Sequence, residues 1–395
     1  MSALPQAEHT TAGAILQWWE HTQDSGHRPH LGASLIGHPC DRHLWLTFRW
    51  AKAHRWDGRM LRLFDDGKRA EARFVTELRA IGCDVWECDE AGDQFRVSAH
   101  GGHFGGSVDA VASGVPEAPK TPHLAEFKTS NDKLFKVLER DGVRKAKPQH
   151  YAQMQAYMGL LDLTRALYLV ENKNDASVYA ERVEFDREEF ARIIERAGRI
   201  IAAAEPPPRI SDDAAWHECK WCNHYALCHG QAVPEVNCRT CAHATPLLDG
   251  TGGAWRCDHL EVGIGTDAQR AGCASHRYIP ILLRGIGDAI DTAAEPDGNM
   301  AVTYRAPDGR AFVNGAAPGF SSVEIAAAKA PSMLTDAAVQ AVKEEFTGAL
   351  MLSSEPRLED IPNDIDTAPV KTERQAEKTQ RKRVAQTLDQ MERLL

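Results

Sequence analysis

The sequence predicts an α/β protein in which a mixed sheet flanked by helices is followed by a small cysteine-rich module and a small α+β region. Apolar residues recur at helical intervals over residues 11–80, strand-like segments alternate with helices over 83–204, and most of the ten cysteines lie after residue 216. This order favours a sheet with helical layers on its faces. A chain of 395 residues exceeds what one compact core usually serves, so several domains are expected.

The predicted elements follow the chain in order. Ile15, Trp18 and Trp19 share one helical stripe near the start of the chain, and helices are expected to fill residues 11–80. Near the other end, Pro307-Asp308-Gly309 predicts the turn of a hairpin. Strands are expected at 84–88, 94–97, 124–129, 166–170, 178–185 and within the hairpin at 301–314. Later helices are expected at 148–161, 187–204, 321–330 and 335–350.

Changes in composition divide the chain into five segments. A proline run at 206–208 marks the end of the α/β core, and an acidic, proline-bearing stretch after residue 352 is typical of a linker. The predicted segments are an α/β domain at 1–232, a cysteine-rich module at 233–283, an α+β region at 284–352, a linker at 353–370 and a C-terminal helix at 371–395.

The charge distribution is uneven. A net charge of −10 argues against a protein held to nucleic acid by its overall field. Residues 42–73 nevertheless carry more Lys and Arg than Asp and Glu, as do residues 128–147. These surpluses either face nucleic acid or are ordinary solvated helix faces. No apolar run approaches the ~20 residues of a membrane span, and the N-terminus has no basic stretch followed by an apolar core, so a cytoplasmic protein without membrane contact is expected.

Three polar residues form the most informative pattern. Asp109 follows a glycine-containing strand-like segment, and Glu126 and Lys128 lie two residues apart in the next one. Since side chains alternate along a strand, Glu126 and Lys128 share a face, and Asp109 on the neighbouring strand can meet them. Two carboxylates suit Mg²⁺ or Mn²⁺, while a lysine can orient or deprotonate water and offset negative charge. The alternative is a set of ordinary surface charges.

The residues around this pattern add to it. His150, Gln153 and Tyr157 present one polar stripe on the following helix, where an amphipathic helix would otherwise bury apolar groups. Glu71 lies near a helix upstream and could bring another carboxylate to the metal. The alternative for the stripe is a helix packed on the sheet with its tyrosine at the rim.

Taken together, residues 32–230 resemble the RecB-like branch of the PD-(D/E)XK nucleases, particularly the iron-sulfur nucleases of CRISPR adaptation and related phage exonucleases. The resemblance implies a restriction-endonuclease-like sheet and a nuclease domain at 1–232. It implies that Asp109, Glu126 and the Phe127 carbonyl bind the catalytic metal, and that Lys128 is the catalytic lysine. Gln153 and Tyr157 match the family's Gln-x-x-x-Tyr helix. Glu71 departs from the pattern, because many members carry a histidine ligand there.

One group of cysteines is incomplete within its own segment. Cys219, Cys222 and Cys228 supply three thiols, one fewer than a tetrahedral site requires, and Cys40 is the best candidate for the fourth. Metal ligands are more plausible than disulfides in a chain without a secretion signal. A distant N-terminal cysteine with a C-terminal triplet is similar to the layout of the iron-sulfur nucleases, which implies a 4Fe-4S cluster. Zinc would satisfy the same thiolates.

A second group of cysteines is complete. Cys238 and Cys241 form a knuckle, and Cys257 and Cys273 follow at loop distances, which predicts a structural Zn²⁺ site. Three nearby histidines could each replace one thiol, and a second iron-sulfur cluster is the alternative metal. The histidines are His243, His259 and His276. Cys83 and Cys88 are expected to be buried or strand-edge thiols.

Trp255 and Tyr278 allow two interpretations. Aromatic side chains can stack on the bases of single-stranded nucleic acid. Small zinc modules have few other core residues, however, which favours packing in the interior.

These observations predict a Mg²⁺- or Mn²⁺-dependent deoxyribonuclease, expected to be an exonuclease on single-stranded DNA or DNA ends in phage recombination, repair or defence. No Walker-type loop is present, so a separate helicase or recombination protein would supply any motor. Ring-forming relatives make a homo-oligomer one option. Two other classes stay open. One is a non-catalytic DNA-binding or assembly protein that retains the nuclease fold, and the other is a redox protein, for which no cofactor site is evident.

Overall fold

The computed structural model describes residues 10–23, 27–348 and 350–351. The predicted linker and C-terminal helix lie outside the described residues. The helices are α1 Thr11–Thr22, α2 Asp41–Phe48, α3 Gly58–Ala80, α4 Asp132–Ala146, α5 Pro148–Leu161, α6 Arg187–Ala202, α7 His217–Lys220, α8 Tyr225–Cys228, α9 Thr266–Ala271, α10 Ser322–Ala327 and α11 Ala337–Glu345. The strands are β1 Leu31–Gly32, β2 Asp84–Trp86, β3 Arg96–Ala99, β4 Phe104–Ser107, β5 Ala110–Ser113, β6 His123–Ser130, β7 Arg165–Asn172, β8 Val178–Glu184, β9 Ala244–Pro246, β10 Trp255–Cys257, β11 Val262–Ile264, β12 Asp288–Ala294, β13 Met300–Arg305 and β14 Ala311–Asn314.

A five-stranded mixed sheet forms the centre of the first half of the chain. Its strand order is β2-β5-β6-β7-β8, with β6 parallel to β7 and the other neighbours antiparallel. Helix α3 packs on one face, where Phe74 stacks on Phe127 of β6. Helix α5 covers the opposite face, where Met154 and Met158 share a core with Leu124 of β6. The expected mixed α/β sheet with helices on both faces is therefore present.

Local sequence explains where the main helices begin and end. Asp57 caps α3 by accepting a hydrogen bond from the Met60 N–H, and Asp186 caps α6. Pro148 begins α5, where its missing N–H costs nothing, and left-handed Asp162 ends that helix. Helix α4 was not predicted. Its Asn131 cap precedes a charged helix that is interrupted at Gly142, where φ is 71°.

A smaller sheet with the order β1-β4-β3 leads into the central sheet. The chain leaves the small sheet after β4 and enters the central one at β5. Asp109 lies in the two-residue break between these strands, and this corrects the expectation that it belongs to a strand. The corner brings its carboxylate beside β6, because Ala110 pairs with Ala125.

The cysteine-rich segment continues the core of the first half. Strands β9, β10 and β11 form an antiparallel sheet, and Trp255 and Ile279 belong to the same apolar cluster as Phe48 and Met154. Trp255 is 1% exposed and Tyr278 0%, so both fill the interior. The packing interpretation of these two aromatic residues therefore holds, and neither is available to stack on bases.

The region after residue 284 combines a three-stranded antiparallel sheet with short helices. The expected hairpin is present as β13 and β14, and Gly309 adopts a φ of 86° at its turn. Strand β12 was not predicted, because every residue in it is exposed and no apolar alternation marks it. Helices α10 and α11 are shorter than predicted, since Pro331 starts a separate 3-10 turn between them. None of the helices in the described ranges is both long and apolar enough to cross a membrane.

Candidate active site and cysteine groups

Strand β6 places two charged groups in the interior on one face of the sheet. Glu126 is 0% exposed, and the Lys128 side chain is mostly buried two residues later, as the alternation of a strand predicts. The intervening residue, Phe127, points to the opposite face and packs under α3. The sequence prediction that Glu126 and Lys128 share a face is confirmed.

The Lys128 ammonium lies among three oxygen atoms. It donates a short hydrogen bond to Glu126 Oε1, lies 3.1 Å from the Phe127 carbonyl oxygen and 3.9 Å from Asp109 Oδ2. Asp109 Oδ2 also accepts a hydrogen bond of 2.9 Å from the Phe127 N–H, which fixes the carboxylate against β6. A cation therefore lies among the three groups that the family resemblance implies as metal ligands.

The carboxyl group of Glu126 is only partly satisfied. Its Oε2 atom is buried and has no hydrogen-bond partner in the described part of the chain. The pKa of Glu126 is raised to about 7: burial is the main cause, the Lys128 charge opposes it, and the Asp109 charge adds to the rise. A buried carboxylate oxygen without a partner costs free energy unless a donor or a cation completes it. The donor set and this open oxygen both fit a hard divalent cation.

Glu71 of α3 is a further acidic group whose charge acts on this site. Its pKa is raised by burial first and by the charge of Asp109 second, while Lys128 lowers it. Glu71 therefore lies within electrostatic reach of the other three residues. The structure gives no direct contact between Glu71 and Asp109, and its role as a ligand stays a prediction.

Gln153 and Tyr157 of α5 face the same polar layer. Both are buried, and Tyr157 has a raised pKa because of burial and the nearby Glu126 charge. The Tyr157 ring packs directly on Gly106, where any side chain would collide with its hydroxyl group. Both residues also line a cavity of about 370 Å³, whose lining does not include Asp109, Glu126 or Lys128. Its lining also includes Arg28, His30, Ser34, Gly105 and Ser107.

Tyr168 belongs to this layer although sequence reasoning did not find it. It pairs in register with Glu126 across the parallel β6–β7 ladder, and its hydroxyl oxygen lies 2.6 Å from His150 Nδ1. Burial and the neighbouring Lys128 charge lower the pKa of His150 to about 3, so this imidazole is neutral. Only the strand pairing reveals Tyr168, because nothing in the local sequence places β7 beside β6.

The first cysteine group gathers from both ends of the α/β domain. Cys40, Cys219, Cys222 and Cys228 line one cavity. Backbone N–H groups approach two of the sulfur atoms at 3.4 Å, from His43 to Cys40 and from His224 to Cys222. Burial raises the pKa of Cys222, and the neighbouring thiols add to this effect. The structure therefore brings the predicted fourth thiol, Cys40, to the other three.

In the second cysteine group, Cys238 and Cys241 precede β9, Cys257 ends β10 and Cys273 follows α9. The pKa of Cys238 is raised to about 12, chiefly by burial and also by the charges of Cys241, Cys273 and Cys257. Cys83 is buried and Cys88 is exposed near a bridge to Gln94, as expected for thiols outside the two groups.

None of these groups has the geometry of a formed metal site. Within residues 10–23, 27–348 and 350–351, no three His, Cys, Asp or Glu side chains are already placed to hold a metal ion. At the carboxylates, the Lys128 ammonium lies where a cation would contact Glu126 and Asp109. Metal binding there requires the lysine side chain to withdraw.

No protein-family profile matches the chain, and no curated protein matches it. Among solved structures, the crystal structure of SSO0001 aligns over 98% of its length with 57% of this chain, at 15% identity and a TM-score of 0.35. The alkaline exonuclease LHK-Exo from Laribacter hongkongensis aligns over 91% of its length with 47% of this chain, at 20% identity and a TM-score of 0.33. Its complex with dAMP aligns over 90% of its length with 48% of this chain, at 16% identity and a TM-score of 0.31. Because these scores are low, the likenesses carry no argument about function, which depends on the side-chain geometry.

Proposed function

We propose that the protein is a Mg²⁺- or Mn²⁺-dependent deoxyribonuclease that hydrolyses phosphodiester bonds at the Asp109–Glu126–Lys128 site. The observation that carries the proposal is the buried cation position on β6. Lys128 there contacts Glu126 and the Phe127 carbonyl and approaches Asp109, while Glu126 Oε2 has no partner. Oxygen donors of this kind select a hard divalent cation.

The residues of the site divide the chemistry. Asp109, Glu126 and the Phe127 carbonyl would hold the ion, and Glu71 would contribute through its charge. When bound, the ion supplies Lewis acidity at the scissile phosphate. Lys128, released from Glu126, would then orient the attacking water and offset the negative charge that develops on the phosphate. Tyr157 and Gln153 close the site on the side of α5.

The substrate proposed is a DNA strand or strand end. The cavity of about 370 Å³ shares Gln153 and Tyr157 with the site and combines the cationic Arg28 with His30, Ser34 and glycine backbone, a lining suited to a phosphate and its sugar. A net charge of −10 means that this local lining, and not the overall field, must attract the substrate. An exonuclease acting in phage recombination, repair or defence, with a separate helicase or recombination protein as partner, is the form of activity proposed.

The test uses the full chain, purified without oxygen, with end-labelled single- and double-stranded DNA and either Mg²⁺ or Mn²⁺. Glu126→Ala and Lys128→Ala should each lower the cleavage rate by about 10²-fold or more. Lys136→Ala is the matched control, because this lysine is exposed in an ion pair on α4 and should leave cleavage unchanged. Unchanged cleavage in folded Glu126→Ala protein would refute the assignment. Binding of DNA without cleavage in either ion would favour a binding or assembly protein.

We also propose that Cys40, Cys219, Cys222 and Cys228 hold a 4Fe-4S cluster. Four thiols around one cavity and the N–H groups directed at Cys40 and Cys222 support a thiolate site. The bound cluster would tie the start of α2 to the segment of α7 and α8. Iron and acid-labile sulfide should both be present after anaerobic purification and be lost in Cys222→Ala. Zinc in place of iron would show that the same thiolates hold a different metal.

A further inference from the structure

We propose that Cys238, Cys241, Cys257 and Cys273 form a tetrathiolate zinc site, and that the knuckle carrying the first two cysteines holds one wall of the cavity that Gln153 and Tyr157 line. The cavity wall in question is the segment from Arg28 to Gly32. This link between the knuckle and the wall does not depend on whether the protein cleaves DNA.

Backbone contacts bring the four cysteine-bearing segments together. Cys257 in β10 pairs with Ala244 of β9, three residues after Cys241. The segment after Cys273 reaches the knuckle where the Ala242 N–H donates to the Arg277 carbonyl at 2.8 Å. Helix α9 reaches it where the Ala268 carbonyl oxygen lies 3.5 Å from Cys238 Sγ. Four cysteines gathered in this way suit a thiolate-bound cation.

The donor set points to zinc. Four sulfur atoms at one place satisfy a tetrahedral ion without help from histidine. His243 Nε2 lies 2.7 Å from Asn299 Oδ1, and His276 Nε2 lies 3.2 Å from Thr240 Oγ1. His276 Nδ1 is buried without a hydrogen-bond partner in the described part of the chain, but the four cysteines already supply the four ligands that zinc needs.

Arg239, between the two knuckle cysteines, extends from this site into the core. Its side chain is 1% exposed, lies 3.7 Å from the Trp50 ring centroid and 4.7 Å from that of Trp255. The guanidinium donates to the Phe48 carbonyl at 3.0 Å and to the Pro29 carbonyl at 2.9 Å. Moving a buried guanidinium away from its hydrogen-bond acceptors would cost free energy, because its charge would be left without partners. The knuckle and the 29–50 segment are therefore held together.

Two further hydrogen bonds continue the connection to the cavity wall. Asn237, next to Cys238, donates to the Trp50 carbonyl at 2.9 Å, and the Trp50 indole donates to the Arg28 carbonyl at 2.7 Å. Arg28 and His30 line the cavity that Gln153 and Tyr157 also line. A displacement of the knuckle would therefore move the backbone that presents Arg28.

The loop between β9 and β10 holds the same wall from a second side. Gly253 donates to the Gly101 carbonyl at 2.8 Å, and His103 Nε2 lies 2.9 Å from the Leu247 carbonyl oxygen. Leu31 in turn donates to the His103 carbonyl at 2.8 Å, next to the pairing of β1 with β4. Cys257 ends β10, the strand that follows this loop. A metal bound to Cys257 and to the two knuckle cysteines would therefore fix the loop and the knuckle together.

Metal content is the first test. Native mass spectrometry and elemental analysis of the full chain should give one zinc ion that is lost in Cys257→Ser and Cys273→Ser and retained in Cys88→Ser. Cys88 is the matched control, because it is exposed and lies outside both cysteine groups. If a variant fails to fold, the zinc count of the unmodified protein decides instead. No zinc ion beyond what the Cys40 group binds, or iron at these four thiols, would overturn the proposal.

Hydrogen exchange tests the connection to the cavity. Removing the zinc with a chelator should speed exchange of the Leu31 and Gly253 amides by about tenfold or more, while amides in the β12–β14 sheet change little. Arg239→Lys should retain zinc but loosen the 28–32 segment, since a lysine cannot bond Phe48 and Pro29 together. Unchanged exchange at Leu31 in both the zinc-free protein and Arg239→Lys would show that the knuckle does not hold the wall.

Discussion

At the scale of single residues, the polar layer under α5 combines the open carboxylate oxygen of Glu126 with the Lys128 ammonium, and Tyr168 pairs with Glu126 from the neighbouring strand. Glu126, Lys128, Gln153 and Tyr157 follow from spacing along one strand and one helix, because each spacing fixes a shared face. Tyr168 could not be found this way, since its place opposite Glu126 depends on which strands pair. The open Glu126 oxygen is likewise a property of the folded interior alone.

Tyr168 gives the first prediction at this scale. Its hydroxyl oxygen lies 2.6 Å from His150 Nδ1. Burial raises the pKa of Tyr168, and the nearby Lys128 charge lowers it in part. Tyr168→Phe removes a hydroxyl group whose hydrogen bond contributes about 1 kcal/mol. We therefore expect the turnover number to fall about fivefold while KM stays constant. Steady-state cleavage assays check both constants.

Tyr304→Phe is the matched control for this substitution, since Tyr304 is a fully buried tyrosine in the β13 strand of the C-terminal sheet. It should leave both constants unchanged. A rise in KM with a constant turnover number in Tyr168→Phe would indicate that the hydroxyl group contacts substrate and does not position Lys128.

At the scale of elements, the sequence predicted those helices and strands that carry clear boundary residues or a regular pattern. Helix α5 has the predicted bounds, because Pro148 begins it and Asp162 ends it. Helix α4 was missed because Gly142 breaks it and its charges hide the apolar stripe of Phe135 and Leu138. Strand β12 was missed because all its residues are exposed, so its sequence lacks the alternation of apolar and polar residues that predicts a strand.

The contact between α10 and α11 gives a pH prediction. Glu324 accepts hydrogen bonds from Lys343 at 2.7 Å and from Ser321, and these lower its pKa even though burial raises it. A depressed folded-state pKa stabilises the fold above the ordinary glutamate pKa of 4.5, and this contribution is lost as the pH falls through the folded value. We therefore expect Glu324→Gln to lower the free energy of unfolding at pH 7 and to flatten its decline below pH 4.5.

Urea unfolding at several pH values measures this dependence. Glu344→Gln serves as the control, because Glu344 lies exposed on α11 and should keep the pH dependence of the unmodified chain. An equal loss of stability in Glu324→Gln at every pH would mean that the pair contributes through packing and not through the carboxylate charge.

At the scale of the whole molecule, the cysteine-rich segment and the central sheet share one interior. Phe48 at the end of α2, Trp255 in β10 and the buried Arg49 between them meet where the two segments join. Arg49 also donates to the carbonyl groups of Ala244 and Ala203, which lie on either side of this junction. Composition divides the chain at residue 232, but it carries no information about apolar surface that is buried between segments.

This shared interior predicts that the two segments unfold together. Trp255→Ala would leave a cavity beside Phe48 and uncover the guanidinium groups of Arg49 and Arg239, so we expect the free energy of unfolding to fall by about 3–5 kcal/mol. The same loss should be seen by hydrogen exchange at Leu167 in the central sheet and at Ile264 in β11. Leu248→Ala, on the exposed side of the β9–β10 loop, should change neither. If Trp255→Ala destabilised Ile264 alone, the cysteine-rich segment would be an independent unit, and the zinc site could not act on the cavity wall.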